Sequence, residues 1–374
     1  MTGELTELLE RWVRDGLVAG AVALVERPAD GAGDAAAGPA VVCAGVADLA
    51  TGRLVTPDTV FRWASTTKPL TAAAALTLVQ DGAVALDDPV TRWLPELRDL
   101  RVLRTPTADL DDTVPADRDV TVRDLLTSTC GWGFPSSFEG PWVQALFRWQ
   151  NGLEVADVPP PDRWLRGLAA VPLRHQPGAQ FLYNTSYDVL GVLLARVDGR
   201  PLPDVLLDRL LAPLGLRDTG FAVRDDQRDR ASAAYRATAD GLVEFDGTDG
   251  RWSAAPVFPS GAGGLVGTAG DWWTFARELL HPGRVLTAES VRFLTTDRLG
   301  AGRAQEAELF LDGAGWGCGG SVDPATGRYG WVGGTGTSAH VLPADSSVAV
   351  LMTQTLVDSP RPPRFLQEFW SAAW

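Results

Sequence analysis

The chain has 374 residues, 45% of them hydrophobic and 21% charged, with a formal net charge of -14. That length buries a large core and leaves room for two lobes, and the composition is that of an ordinary soluble globular protein. The acidic balance argues against nucleic acid and anionic membrane as partners, and no apolar run reaches the ~18 residues needed to span a bilayer.

Met1-Thr2-Gly3-Glu4 carries no basic stretch ahead of an apolar one, so the expected location is cytoplasmic. Leu5 to Val13 has apolar residues at helical spacing. Ala19 to Val25 and Ala40 to Gly45 are short apolar runs around a Gly/Ala-rich loop and read as a strand hairpin. A long apolar helix is predicted from Thr66 to about Gln80, with Gly82 as its stop. Further helices are predicted around Val122 to Thr127, Asp162 to Ala170, Ser186 to Val197, Leu202 to Leu211 and Ala269 to Leu280. Strands return at Gly315 to Val322, Arg328 to Val332, Ser338 to Leu342 and Ser347 to Thr353, before a last helix from Arg364 to Ala373. Strands at both ends with helices between predict an α+β fold, with one sheet built from the two termini and a helical lobe inserted in it. The expected division is a sheet lobe at about 1–60 and 285–374 and a helical lobe at about 61–284, within a single catalytic unit. Cys43, Cys130 and Cys318 are odd in number and far apart, so they are expected as buried free thiols, with neither a disulfide framework nor a zinc site.

Lys68 is the only lysine among 33 lysines and arginines. Arginine keeps its proton near neutral pH, whereas a desolvated lysine gives it up. One lysine in an arginine-only chain therefore suggests a site that needs a neutral amine. Coding bias with one accidental survivor is the bland alternative. Three residues earlier stands Ser65, and Ser-x-x-Lys is an arrangement for a serine nucleophile activated by an amine. If Ser65 opens the helix, positions i and i+3 share a face and bring amine and hydroxyl together. The N–H of Ser65, free at a helix start, would then help hold an oxyanion. Pro69 is tolerated only near a first turn, which supports that start.

A nucleophilic serine needs a proton acceptor and later a donor. Tyr183, in the turn Pro177-Gly178-Ala179-Gln180-Phe181-Leu182-Tyr183-Asn184-Thr185, is a candidate, against the plainer reading of an amphipathic residue at a helix entry. Tyr329-Gly330-Trp331-Val332-Gly333-Gly334-Thr335 reads as a strand and tight turn whose glycines let a backbone N–H approach a ligand. Ser260-Gly261-Ala262-Gly263-Gly264 reads as a flexible connection rather than a phosphate loop.

Together these segments resemble the serine β-lactamase and penicillin-binding-protein superfamily, and within it class C β-lactamases and family VIII carboxylesterases. Val120 to Gly131 resembles that superfamily's "T-hydrophobic-R-x-L-L-x-H-T-S-G" segment, with Ser128 in place of His. Phe181 to Gly191 resembles "F-x-Y-S-N-x-x-Y-x-L-L-G", and Gly263 to Asp271 resembles "G-G-L-x-S-T-A-x-D". Trp331-Val332-Gly333 falls at the third motif, Lys-Thr-Gly in β-lactamases. The resemblance implies a β-lactamase/transpeptidase-like fold, an antiparallel sheet flanked by helices plus a mostly helical lobe. It implies Ser65 as the acylated nucleophile, Lys68 as its activator, Tyr183 as general base and then acid, and the N–H groups of Ser65 and Gly334 as the oxyanion hole. Either Asn184 or Thr185 takes the role of the family's Asn. Trp331 and Gly333 are expected against the substrate, and Trp331 in place of a lysine suits a neutral ester better than a β-lactam carboxylate. Trp132 and Phe134 open an aromatic segment running to Trp149, read either as a wall over the acyl pocket or as ordinary packing.

The expected activity is thus a serine hydrolase acting through an acyl-enzyme on a small ester, with transacylase, amide hydrolase or D-aminopeptidase and weak β-lactamase as alternatives. No cofactor or metal is expected, and the expected partner is a small-molecule ester or amide. Two rivals are a pyridoxal phosphate enzyme with Lys68 as Schiff base, which lacks its usual alternating βα pattern here, and a ligand sensor without catalysis. A Ser-His-Asp triad is disfavoured, since only His175, His281 and His340 exist and no Gly-x-Ser-x-Gly occurs.

Overall fold

A computed structural model describes residues 2–27, 38–150, 158–300, 302–306, 308–359 and 361–374. An opening helix α1 (Thr2–Arg14) leads into strands β1 (Gly20–Glu26), β2 (Ala40–Asp48) and β3 (Arg53–Leu54). The chain then leaves the sheet and returns near its end as β4 (Gly315–Trp316), β5 (Ser321–Val322), β6 (Tyr329–Gly333), β7 (Thr337–Leu342) and β8 (Ser347–Thr353). The strands lie in the order β4-β5-β6-β7-β8-β1-β2-β3, every neighbouring pair antiparallel. The two halves of the sheet meet where β1 pairs with β8, from Ala21 opposite Thr353 to Glu26 opposite Val348.

Both faces of the central strands are covered, so β1 and β8 read as nearly continuous apolar runs. Alternate side chains still divide between two cores, as the two-residue period of a strand requires. Ala21, Ala23, Val25, Ala349 and Leu351 pack with Leu5, Leu9 and Trp12 of α1 and with Phe365 and Phe369 of the C-terminal helix Arg364–Ala373. Val22, Leu24, Val350 and Met352 face the other way, into the large core shared with Trp272 and Phe275 of the helix Ala269–Leu280.

The inserted lobe is built around α2 (Lys68–Gln80). Its sequence, KPLTAAAALTLVQ, is apolar on every side, and the helix is buried from Lys68 to Leu78. A helix of that kind belongs inside a core, and its alanines favour the conformation intrinsically. Short helices α3 (Val122–Leu126), α4 (Pro141–Phe147) and α5 (Pro161–Ala169) follow, then α6 (Thr185–Asp198), which closes on Gly199 in the left-handed region.

Three expectations shift at this level. The helix predicted from Thr66 begins as a 3₁₀ turn over Ala64–Thr67 and becomes α-helical at Lys68. The strand predicted from Gly315 to Val322 is two short strands, because Gly319 turns the chain at φ +83° where a side chain would strike the Lys68 carbonyl. Cys130 and Cys318 are buried, but Cys43 is only half-buried; all three are free thiols. Among the described residues, no helix is long and apolar enough to cross a membrane, and no cluster of His, Cys, Asp and Glu could hold a metal ion.

Candidate active site

The turn carrying Ser65 is held from the sheet. Thr335 and Thr337, at the turn between β6 and β7, donate to the carbonyls of Arg62 (2.5 Å) and Trp63 (2.9 Å). Gly333 lies so close to this turn that a β-carbon there would come within 2.4 Å of the Trp63 carbonyl. The tethered backbone is strained: Ala64 sits at φ +46°, just before the serine. A non-glycine residue in that region costs about 1–3 kcal/mol and persists only where surrounding contacts enforce it.

Lys68 is wholly buried at the first turn of α2. Its ammonium nitrogen Nζ lies 2.9 Å from Ser65 Oγ, 3.3 Å from Tyr183 Oη and 2.8 Å from the Ala262 carbonyl oxygen. Burial pushes the amine below the ordinary lysine range, while Tyr183 and Asp188 act against that shift. Burial therefore makes the neutral amine, the form able to take a proton from a hydroxyl, easier to reach than for a lysine in water.

Tyr183 stands just before α6 and is presented by a second strained residue, Asn184 at φ +85°. Its backbone pairs with Phe134, whose N–H donates to the Tyr183 carbonyl at 2.8 Å. The Trp331 indole N–H donates to Tyr183 Oη at 2.7 Å. Two N–H donors, from Lys68 and Trp331, thus converge on the phenol oxygen and fix its position.

Ser65, Tyr183, Asn184 and Gly334 line one cavity of about 900 Å³, with Phe134, Trp149, Phe221 and Phe258 among its walls. The Gly334 N–H has no hydrogen-bond partner among the described residues. Asn184 and Thr185 both reach the Gln150 side chain, Asn184 Nδ2 donating to Gln150 Oε1 at 3.5 Å, but only Asn184 also lines the cavity. Asn184 faces the cavity, whereas Thr185 is buried beneath and accepts from Gln150 Nε2 at 2.8 Å.

Several site expectations are corrected. Trp132 is core: it is fully buried, and its N–H donates to the Val171 carbonyl at 2.9 Å, so it forms no wall of the cavity. Phe134 does line the cavity and stacks on Phe147 at 5.3 Å between ring centres. Trp331 does not line it; its polar edge is spent on Tyr183. Gly333 is a packing position beneath the Ser65 turn, and its neighbour Gly334 reaches the cavity. The segment read as a flexible connection, Ser260 to Gly264, is ordered by two side chains from outside it, Asp188 and Thr71. Asp188 Oδ1 accepts from Ser260 Oγ (2.6 Å) and from the Ala262 N–H (3.2 Å), and Thr71 Oγ1 donates to the Gly261 carbonyl (2.8 Å).

Sequence reasoning missed Asp188. It is buried on α6, its Oδ2 has no hydrogen-bond partner, and burial pushes its carboxyl up to about 6. A signal existed: an acidic residue inside an otherwise apolar helical run, TSYDVLGVLL. Phe310 was also missed. It stacks on Tyr183 with ring centres 4.6 Å apart, and nothing in its local sequence marks it.

An amine in hydrogen-bond reach of both a serine and a phenol, on an antiparallel sheet with a helical lobe, defines a serine hydrolase of the β-lactamase/transpeptidase fold. The beta-lactamase family matches residues 8–368, and the chain belongs to that family. Protein Rv1367c of Mycobacterium tuberculosis is 38% identical over 84% of this chain and 82% of its own. Esterase EstB of Burkholderia gladioli is 35% identical over 72% of this chain and 68% of its own. Among solved structures, EstCE1, a hydrolase with promiscuous acyltransferase activity, superposes with a TM-score of 0.83 at 26% identity, covering 100% of this chain and 98% of that one.

Proposed function

We propose that this protein is a carboxylesterase-like serine hydrolase working through an acyl-enzyme on Ser65. The observation that carries the reading is the placement of the buried Lys68 amine 2.9 Å from Ser65 Oγ and 3.3 Å from Tyr183 Oη at the cavity. The Ser65 hydroxyl proton passes to the Lys68–Tyr183 pair as Oγ bonds to the ester carbonyl carbon. The resulting oxyanion faces the N–H groups of Ser65 and Gly334; one such donor is worth about 10²–10³ in rate. As the carbon–oxygen bond to the leaving group breaks, Tyr183 returns the proton to the departing alcohol. Water then attacks the acyl-Ser65 carbonyl by the same relay, releasing the acid and restoring the serine.

Asn184, on the cavity side, takes the family's asparagine role in this reading, contacting the bound acyl group. A small ester or amide is the partner that an apolar cavity of this size suits. Acyl transfer to an alcohol is the second reading, favoured by the promiscuous acyltransferase activity of EstCE1, and it differs only in the nucleophile that enters after acylation. Three free thiols suit a reducing compartment such as the cytoplasm.

The test is mass spectrometry of the intact protein after exposure to p-nitrophenyl butyrate and to nitrocefin, with kcat/KM for both. A butyryl adduct on Ser65, absent in Ser65→Ala, and faster turnover of the ester are expected. An adduct on another serine, or nitrocefin as the better substrate, overturns the reading.

A further inference from the structure

The cavity over Ser65 is charged against the trend of the protein. The chain carries 47 acidic residues against 33 basic ones, yet among the described residues the cavity lining includes Arg148, Arg163 and Arg251 and no Asp or Glu. Arg148 follows α4 and Arg163 lies in α5, so both come from the helical lobe. Both are exposed. Neither forms an ion pair or side-chain hydrogen bond among the described residues. Other arginines have found carboxylates: Arg62 with Asp246, Arg118 with Asp124, Arg196 with Glu96 and Arg230 with Asp218. In a chain with surplus acid, two arginines without one, on the wall of a catalytic cavity, present positive charge to whatever enters. Arg251 is already engaged, with its guanidinium 5.1 Å from the Trp252 ring centre.

We propose that the site selects esters that carry a carboxylate away from the scissile bond, and that Arg148 and Arg163 hold that carboxylate. This rests on the esterase reading above and names its substrate class. Guanidinium suits a carboxylate because it offers planar, paired donors. The apolar walls take the rest of the molecule, so the preferred ligand is amphipathic. The charge comes from the helical wall, not from the strand bearing Trp331, so it does not rebuild the lysine position of a β-lactamase.

The experiment compares anionic and neutral esters of matched shape: 4-acetoxybenzoate with its methyl ester, and 4-nitrophenyl hydrogen glutarate with 4-nitrophenyl valerate. The first pair places the carboxylate on the leaving group and the second on the acyl group. In at least one pair the anionic ester is expected to lead by about ten- to a hundredfold in kcat/KM, the scale of a charge-assisted hydrogen bond, mainly through KM. That lead should shrink as salt rises from about 20 to about 500 mM, because exposed charges are screened. It should vanish in Arg148→Gln/Arg163→Gln while the rates for the neutral esters hold. Neutral esters leading in both pairs, or a preference that survives the double substitution, overturns the proposal. Should no ester turn over, the esterase reading fails, and calorimetric binding of 4-acetoxybenzoate and its methyl ester to Ser65→Ala decides the anion site alone. Tighter binding of the anion, lost with the two arginines, upholds it; equal binding overturns it.

Discussion

The Trp331 indole nitrogen donates to the Tyr183 hydroxyl oxygen at 2.7 Å, shorter than the 3.3 Å contact from Lys68 to the same atom. A residue that looked like a plain apolar substitute for lysine is thus wired to the proton relay. Tyr183 is fixed from two sides by N–H donors and stacked by Phe310. Its oxygen is held toward Lys68, and through Lys68 toward Ser65.

Trp331→Phe keeps the apolar ring and removes the donor. kcat for p-nitrophenyl butyrate is expected to fall by about tenfold, the cost of losing one hydrogen bond of about 1–1.5 kcal/mol to the relay oxygen. Circular dichroism should be unchanged, because the ring still packs on Trp316, whose centre is 4.8 Å away. An unchanged kcat would mean that the bond is incidental.

Lys68→Arg retains positive charge and loses the amine. Guanidinium cannot take a proton from Ser65, and general-base catalysis typically contributes about 10²–10⁴-fold. A loss of that size in kcat, with thermal unfolding confirming a folded protein, is expected. Near-normal turnover would show that the lone lysine is an accident of coding.

Asp188 is the nearby buried acid whose charge supports protonated Lys68. Asp188→Asn removes that support, so the amine keeps its proton less readily. The acid limb of the kcat/KM profile should therefore move to lower pH, provided that the amide keeps the Ser260 and Ala262 bonds. Ser260→Ala serves as the control, since it disturbs the same loop without removing charge. An acid limb that moves up, or an equal shift in Ser260→Ala, refutes the electrostatic role.

His340 gives the fold an acid sensitivity unrelated to catalysis. It is buried beside Trp370, and burial pushes its imidazole down to about 3. The unfolded chain binds a proton near pH 6.5 and the native one does not. Stability is therefore fully present above about pH 6.5 and is lost as pH falls toward 3, by about 1.4 kcal/mol per unit at most. Between pH 6.5 and 5 the wild type should lose roughly 2 kcal/mol more than His340→Gln, read from urea unfolding. Parallel losses in the two proteins would assign the acid sensitivity elsewhere.

The sequence by itself determined the periodic elements and the chemistry that rests on local spacing. The apolar runs of β1 and β8, the all-apolar α2 and the amphipathic α1 were legible because burial imposes a period on the chain. Ser65 and Lys68 were legible because three residues bridge one helical turn, and because a lone lysine stands out among arginines. The α+β layout was legible from strands at both ends with helices between, and Tyr183 as one candidate in a turn; the roles of Tyr183 and Gly334 became readable through family resemblance, in motifs that keep their order along the chain. What only the tertiary structure decided were contacts between distant segments. Asn184 lines the cavity and Thr185 does not, although both are buried and both reach Gln150, a residue more than 30 positions earlier in the chain. Trp132 is core and Trp331 serves Tyr183, although both are tryptophans beside glycines, because the backbone around each faces a different neighbour. The Ser260–Gly264 loop is rich in small residues, which locally reads as slack. It is ordered by Asp188 and Thr71, at sequence separations of 72 and 190 residues, and no local pattern encodes a partner that far along the chain.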